Sequence, residues 1–142
     1  MLNKIPLNTW YDANDKDLKD LRLKAKDLCF AFNSLPYSDE AKGKIILKQL
    51  FALLGDNTEI LAPLYCDYGQ NIIIGRDCYI NHGAYLMDTA PITIGDHCFI
   101  GPFLNISCAS HPLDIANRNK GLEMAKSVVI EDDVWIGSNV TI

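Results

Sequence analysis

The stretch Ile74-Gly75-Arg76-Asp77-Cys78-Tyr79-Ile80-Asn81-His82-Gly83-Ala84-Tyr85-Leu86 puts an aliphatic residue at every sixth place. The same step recurs at Ile94, Ile100, Ile106 and again at Ile130, Ile136, Ile142. Glycine directly follows four of these nine anchors, as Gly75, Gly95, Gly101 and Gly137. Four residues after an anchor comes a second, smaller uncharged residue: Cys78, Ala84, Cys98, Leu104, Val134, Val140. A helix needs apolar residues three and four apart, and a flat strand needs them two apart. A step of six matches a short strand followed by a corner, repeated. Residues i−2 and i share one face of a strand, and Ile72/Ile74, Ile92/Ile94 and Val128/Ile130 are such pairs. Three sides close a triangular coil of 18 residues with the anchors stacked inside, which is a parallel β-helix.

The ladder breaks in two places. Leu86 to Ile94 is eight residues, so two are inserted around Asp88-Thr89-Ala90-Pro91. Ile106 to Ile130 is twenty-four, so a loop leaves the helix at about residues 111–127. Loops that interrupt a rigid scaffold are where function concentrates.

Composition bounds the rest. The chain has 142 residues, 49% of them hydrophobic, a net charge of −5 and a pI near 5.0. That suits one soluble unit, without the basic stripe of a nucleic-acid binder or an apolar run of membrane-spanning length. Met1-Leu2-Asn3-Lys4 lacks the apolar core of a secretion leader, so a cytoplasmic location is expected. The five cysteines, Cys29, Cys66, Cys78, Cys98 and Cys108, contain no Cys-x-x-Cys pair. They read as reduced, buried small hydrophobes.

Before the ladder lies a helical hairpin at about residues 15–55. Asp15 can cap the first helix, with Leu18, Leu21, Ala25, Leu28, Cys29 and Phe32 on one face. Ser38 can cap the second, whose stripe is Ile46, Leu50, Leu53 and Leu54 and which ends at Gly55. A solenoid exposes stacked apolar residues at its open end, so a cap is expected there. Residues 1–57 thus read as a helical cap, 56–73 as a run-in, and 58–142 as the β-helix. The β-helix stops on the anchor Ile142 and reads as incomplete at its C-terminal end.

Six segments together resemble the maltose/galactoside O-acetyltransferases. They are Trp10-Tyr11-Asp12-Ala13-Asn14, Cys66-Asp67-Tyr68-Gly69, Ile94-Gly95-Asp96, Ser110-His111-Pro112-Leu113, Gly121-Leu122-Glu123 and Asp133-Val134-Trp135-Ile136-Gly137-Ser138. The resemblance implies a left-handed β-helix; spacing alone does not give the hand. It also implies a homotrimer with active sites shared between subunits. Its reaction moves acetyl from acetyl-CoA to a sugar hydroxyl, by direct attack and without a metal. The resemblance puts His111 in the role of general base, a role that suits a group titrating near neutrality. It makes Asp12, Asp67, Asn81, Asp88 and Glu123 acceptor-binding residues, Glu123 in a maltose-type loop. Asn81 also suits a corner in the left-handed region. Ser138 matches a position whose main-chain N–H approaches the acetyl carbonyl. Trp135 flanks the pantetheine arm or packs a subunit contact.

Two other readings compete. A zinc-dependent β-helix enzyme needs three converging histidines, and His82, His97 and His111 are fifteen and fourteen apart, which are not whole coils. A shortened, catalytically impaired solenoid would serve only as an oligomerisation or binding module.

Overall fold

The computed structural model describes residues 4–142. Three of the four residues on which the leader reading rests, Met1, Leu2 and Asn3, lie outside that range. In chain order the elements are β1 (Trp10–Asp12), α1 (Lys16–Asn33), α2 (Glu40–Leu50), β2 (Leu53–Leu54), β3 (Glu59–Ile60), β4 (Leu64–Cys66), β5 (Ile72–Ile74) and β6 (Tyr79–Ile80). Then come β7 (Ala84–Met87), β8 (Ile92–Ile94), β9 (Phe99–Ile100), β10 (Asn105–Ser107), β11 (Ala109–Ser110), α3 (Ile115–Arg118), β12 (Leu122–Ala125), β13 (Val128–Ile130) and β14 (Trp135–Ile136).

Three parallel sheets form the walls of a triangular prism: β2-β5-β8-β13, β3-β6-β9-β14 and β4-β7-β10. The fold is a left-handed parallel β-helix with a helical cap. Each coil has twenty residues rather than the expected eighteen. Partners twenty apart are Leu54↔Ile74 and Ile74↔Ile94 on the first wall, Ile60↔Ile80 and Ile80↔Ile100 on the second, and Cys66↔Leu86 on the third. The eight-residue step at Asp88 is therefore a standing feature of one corner. Cys66 to Ile74 repeats it one coil earlier. Ile94↔Ile130 and Ile100↔Ile136 are thirty-six apart, one coil plus the excursion that leaves after β10.

The anchors stack down the axis. Ile74, Ile80, Leu86, Ile92 and Ile106 have no exposed surface. Burying each such side chain contributes about 1.5–3 kcal/mol. On one edge the third residue after an anchor turns the corner in the left-handed region, at Asn57, Asp77, His97 and Asp133. On the next edge Gly83 (φ 80°) lies beneath Phe103 (φ 63°), and a Cβ on Gly83 would run into the Phe103 ring.

Helix α1 begins where the sequence indicates: a carboxylate oxygen of Asp15 accepts the N–H groups of Asp17 and Leu18. Its inner face is Leu18, Ala25, Cys29 and Phe32. Helix α2 differs from expectation at both ends. Asp39, not Ser38, is its N-cap, and it stops at Leu50. Leu53 and Leu54 instead form β2, pairing with Ile73 and Ile74. Stacking Leu54 under Ile74 outweighs one more turn of a solvent-facing helix, so the ladder's first rung falls inside the stretch read as cap. The run-in 56–73 is the remainder of that first coil. Among the described residues no helix is long and apolar enough to cross a membrane.

Candidate active site

The excursion after β10 folds back as a hairpin, β11 against β12, and β1 adds to its other side as an antiparallel strand. The N-terminal strand and the loop therefore make one small sheet over the edge where the third wall meets the first. His111 follows β11 directly. Its Nδ1 lies 2.8 Å from the carbonyl oxygen of Leu122. A carbonyl only accepts, so Nδ1 carries the proton and Nε2 keeps its lone pair. The side chain is 50% exposed. That makes Nε2 the ring atom open to a proton, which is the arrangement a general base needs.

Glu123, next to Leu122 on β12, brings one carboxylate oxygen to 3.9 Å from His111 Nε2. Its other oxygen accepts a 2.7 Å hydrogen bond from the hydroxyl of Tyr11, which sits directly opposite on β1. Burial, and then the bond to Glu123, push the Tyr11 phenol well above its usual range, so it stays a donor. Tyr11 thus holds one Glu123 oxygen, and the other stands near Nε2 but beyond hydrogen-bond reach. Asp12 pairs with Leu122 across the same strands, and its Oδ1 takes the N–H of Asn14.

Asp67 lies on this edge too, in the turn after β4. Its Oδ1 accepts the Tyr85 hydroxyl at 2.7 Å. Asp88, expected to contact the acceptor, is instead turned inward. Its side chain is completely buried, and its carboxylate accepts the main-chain N–H groups of Asp67, Tyr68 and Asn71. Burial raises its pKa from 3.8 to about 6, and the N–H bonds offset only part of that. Arg22 of α1 donates to the Tyr68 hydroxyl and to the Ala13 carbonyl, tying the cap to this turn and to the end of β1.

The remaining sequence-derived site residues stand elsewhere. Asn81 and Ser138 line the edge between the second and third walls, where Gly101 packs beneath Ser138. Asn81 Oδ1 accepts the N–H of His82. Trp135 is 81% exposed on the outer face of the second wall, in register with Phe99 and, below it, Tyr79. The strand β7 separates Asn81 from Asp88. At about 3.3 Å per residue, the two edges are roughly 20 Å apart. In one chain the sequence-derived residues therefore fall into two groups: Asp12, Asp67, His111 and Glu123 on one edge, Asn81 and Ser138 on another. The three histidines lie on three different edges, His82 beside Asn81, His97 between Asp77 and Asp133, and His111 on the excursion, so they do not converge on a zinc ion. Tyr11 and Tyr85 were not singled out by sequence. Their partners are 112 and 18 residues away respectively, and only the register reveals them.

Residues 9–55 match the maltose acetyltransferase hexapeptide capping motif, and residues 91–102 the hexapeptide repeat of succinyl-transferase. A candidate acetyltransferase of Saccharomyces cerevisiae is 42% identical over the whole of this chain, which covers 73% of that protein. The chain belongs to the maltose/galactoside O-acetyltransferase family of hexapeptide-repeat proteins. A maltose O-acetyltransferase from Clostridium difficile 630 superposes with a TM-score of 0.92 at 36% identity, over 94% of this chain and 71% of that one. A galactoside acetyltransferase in complex with coenzyme A gives 0.91 at 34%, over 94% and 67%. A hexapeptide-repeat acetyltransferase from Vibrio cholerae O1 biovar eltor, complexed with acetyl coenzyme A, gives 0.86 at 39%, over 92% and 70%. The chain is accordingly an acetyltransferase of the acetyl-CoA-dependent kind.

Proposed function

We propose that this chain acetylates a hydroxyl of a sugar, glucose-, maltose- or galactoside-like, with His111 as general base. The observation that carries this is the Nδ1 bond of His111 to the Leu122 carbonyl, which leaves Nε2 to receive a proton. Acetyl-CoA supplies a thioester carbonyl open to attack. His111 Nε2 takes the proton of the acceptor hydroxyl as its oxygen attacks, and later returns it to the leaving sulfur. Glu123, at 3.9 Å, steadies the imidazolium that forms in between. Asp12 and Asp67 offer carboxylate oxygens to the sugar hydroxyls.

The second half-site comes from a neighbour in a homotrimer. Asn81 of the adjoining chain orients the acceptor hydroxyl, the main-chain N–H of Ser138 stabilises the developing oxyanion, and Trp135 flanks the pantetheine arm. The separation of the two edges within one chain supports this arrangement. Five buried free thiols suit a reducing cytoplasm.

Thiol release from acetyl-CoA, followed with a disulfide dye in the presence of glucose, maltose or methyl β-galactoside, tests the reading. Release that depends on one of these sugars is expected from the wild type and not from His111→Ala. Sugar-independent release, or equal rates for the two proteins, overturns it. Light scattering should give about three times the 15.9 kDa chain mass.

A further inference from the structure

Asp88 is a buried carboxylate with an unusual set of partners. Oδ1 accepts the N–H groups of Asp67 at 3.0 Å and Tyr68 at 2.8 Å, and Oδ2 accepts that of Asn71 at 3.2 Å. The Asn71 side chain donates back to the Asp88 carbonyl at 2.8 Å. Burying an ionisable carboxyl is costly, and a neutral residue could fill the corner. What the carboxylate does that an apolar residue cannot is gather three N–H groups of one turn onto two oxygens.

We propose that Asp88 is a positioning residue for the acceptor site: it clasps the turn 67–71 and thereby sets where the Asp67 carboxylate stands, without touching the acceptor itself. Asp67 is held at both ends. Its main-chain N–H goes to Asp88 and its Oδ1 accepts the Tyr85 hydroxyl, both groups belonging to the coil above. With Oδ1 taken, Oδ2 is the oxygen offered to a sugar hydroxyl. The same turn is pressed from behind by the cap: Gly69 (φ 72°) abuts the Leu50 carbonyl, and Tyr68 takes the Arg22 guanidinium. Helical cap, first coil and acceptor edge therefore meet in five residues, and Asp88 is the group that fixes them. The inference rests on the sugar-contact reading of Asp67 given above.

The test compares Asp88→Asn and Asp88→Ala with the wild type, using maltose and methyl β-galactoside as acceptor probes. Asparagine keeps an oxygen for Asp67 and Tyr68 but turns an NH2 toward the N–H of Asn71; alanine removes every acceptor. The acceptor KM should rise about tenfold in Asp88→Asn and further in Asp88→Ala. The acetyl-CoA KM and kcat at saturating acceptor should stay within about twofold. Because the effect runs through Asp67, Asp67→Ala/Asp88→Asn should be no worse in acceptor KM than Asp67→Ala alone. Full additivity, or an equal loss in kcat and both KM values, overturns the proposal. If Asp88→Ala does not fold, amide exchange in Asp88→Asn decides: the Asp67, Tyr68 and Asn71 amides should exchange faster, and unchanged protection sinks the clasp. Should the wild type acetylate neither probe, the sugar reading fails, while the exchange result still judges the clasp.

Discussion

His111 Nδ1 and the Leu122 carbonyl oxygen are 2.8 Å apart, eleven residues from each other in the chain and on facing limbs of one hairpin. This bond fixes both the tautomer and the ring plane, so Nε2 is the only ring atom able to receive a proton. His111→Ala should lower kcat by about 10²–10⁴-fold. Acetyl-CoA affinity, followed by calorimetry, should hardly change, because the imidazole acts on the acceptor side. A loss of binding comparable to the loss of rate would make His111 a scaffold residue.

The carboxylate of Glu123 stands 3.9 Å from Nε2 and is 21% exposed. At that distance a full charge pair is worth about 4 kcal/mol at an effective dielectric of 20, and partial exposure reduces it to about 1–2 kcal/mol. Glu123→Gln should therefore reduce kcat roughly tenfold. Tyr11→Phe, which removes the 2.7 Å bond to the far oxygen, should give a smaller loss in the same direction. Single-turnover rates at saturating substrates are the measurement; a Tyr11→Phe effect larger than that of Glu123→Gln would contradict the order of the chain Tyr11, Glu123, His111.

Asp88 makes stability depend on pH with a defined sign. Its folded pKa, about 6, is raised above 3.8 by burial, so the folded protein binds this proton more tightly than the unfolded one. Its contribution is fully favourable below about pH 4 and is lost as pH rises through about 6, a change of about 2–3 kcal/mol. The groups facing it, Cys66, Cys29, Cys108, Tyr85 and Asp67, add only one carboxylate to that surrounding. Urea unfolding between pH 4 and 7 should show this slope in the wild type, and Asp88→Asn should flatten it. An unchanged slope in the variant would place the titration on another group.

Gly83 carries two constraints, φ of 80° and the Phe103 ring against its α-carbon. Gly83→Ala should cost about 2 kcal/mol or more from strain and overlap together. Gly43, inside α2, is the comparison: its built Cβ meets only side chains, nearest the Phe32 ring edge at 3.3 Å, so Gly43→Ala should cost far less. Thermal denaturation of the two variants compares them directly.

Much of the fold was legible because the β-helix interior is one-dimensional. Each coil stacks only on the coils above and below, so a fixed step in sequence becomes a fixed contact in space. The six-residue step from Ile74 to Ile142, the Asp15 cap and the inner face of α1 all follow from such local relations. The end of α2 was misread because Leu53 and Leu54 continue a helical stripe and a β-ladder equally well, and their pairing with Ile73 and Ile74 decides between them.

The site divides in the same way. Sequence by itself determined the six-residue ladder, the excursion after Ile106, and His111 as the histidine where that excursion begins. Only the tertiary structure decided that Glu123 and Tyr11 stand behind His111, that Asp88 faces inward to hold a turn, and that Asn81 and Ser138 occupy another edge of the prism. The reason is physical. Strand register and corner geometry are set by packing across whole coils, so the direction of a side chain at a corner depends on residues twenty or more places away that no local pattern contains.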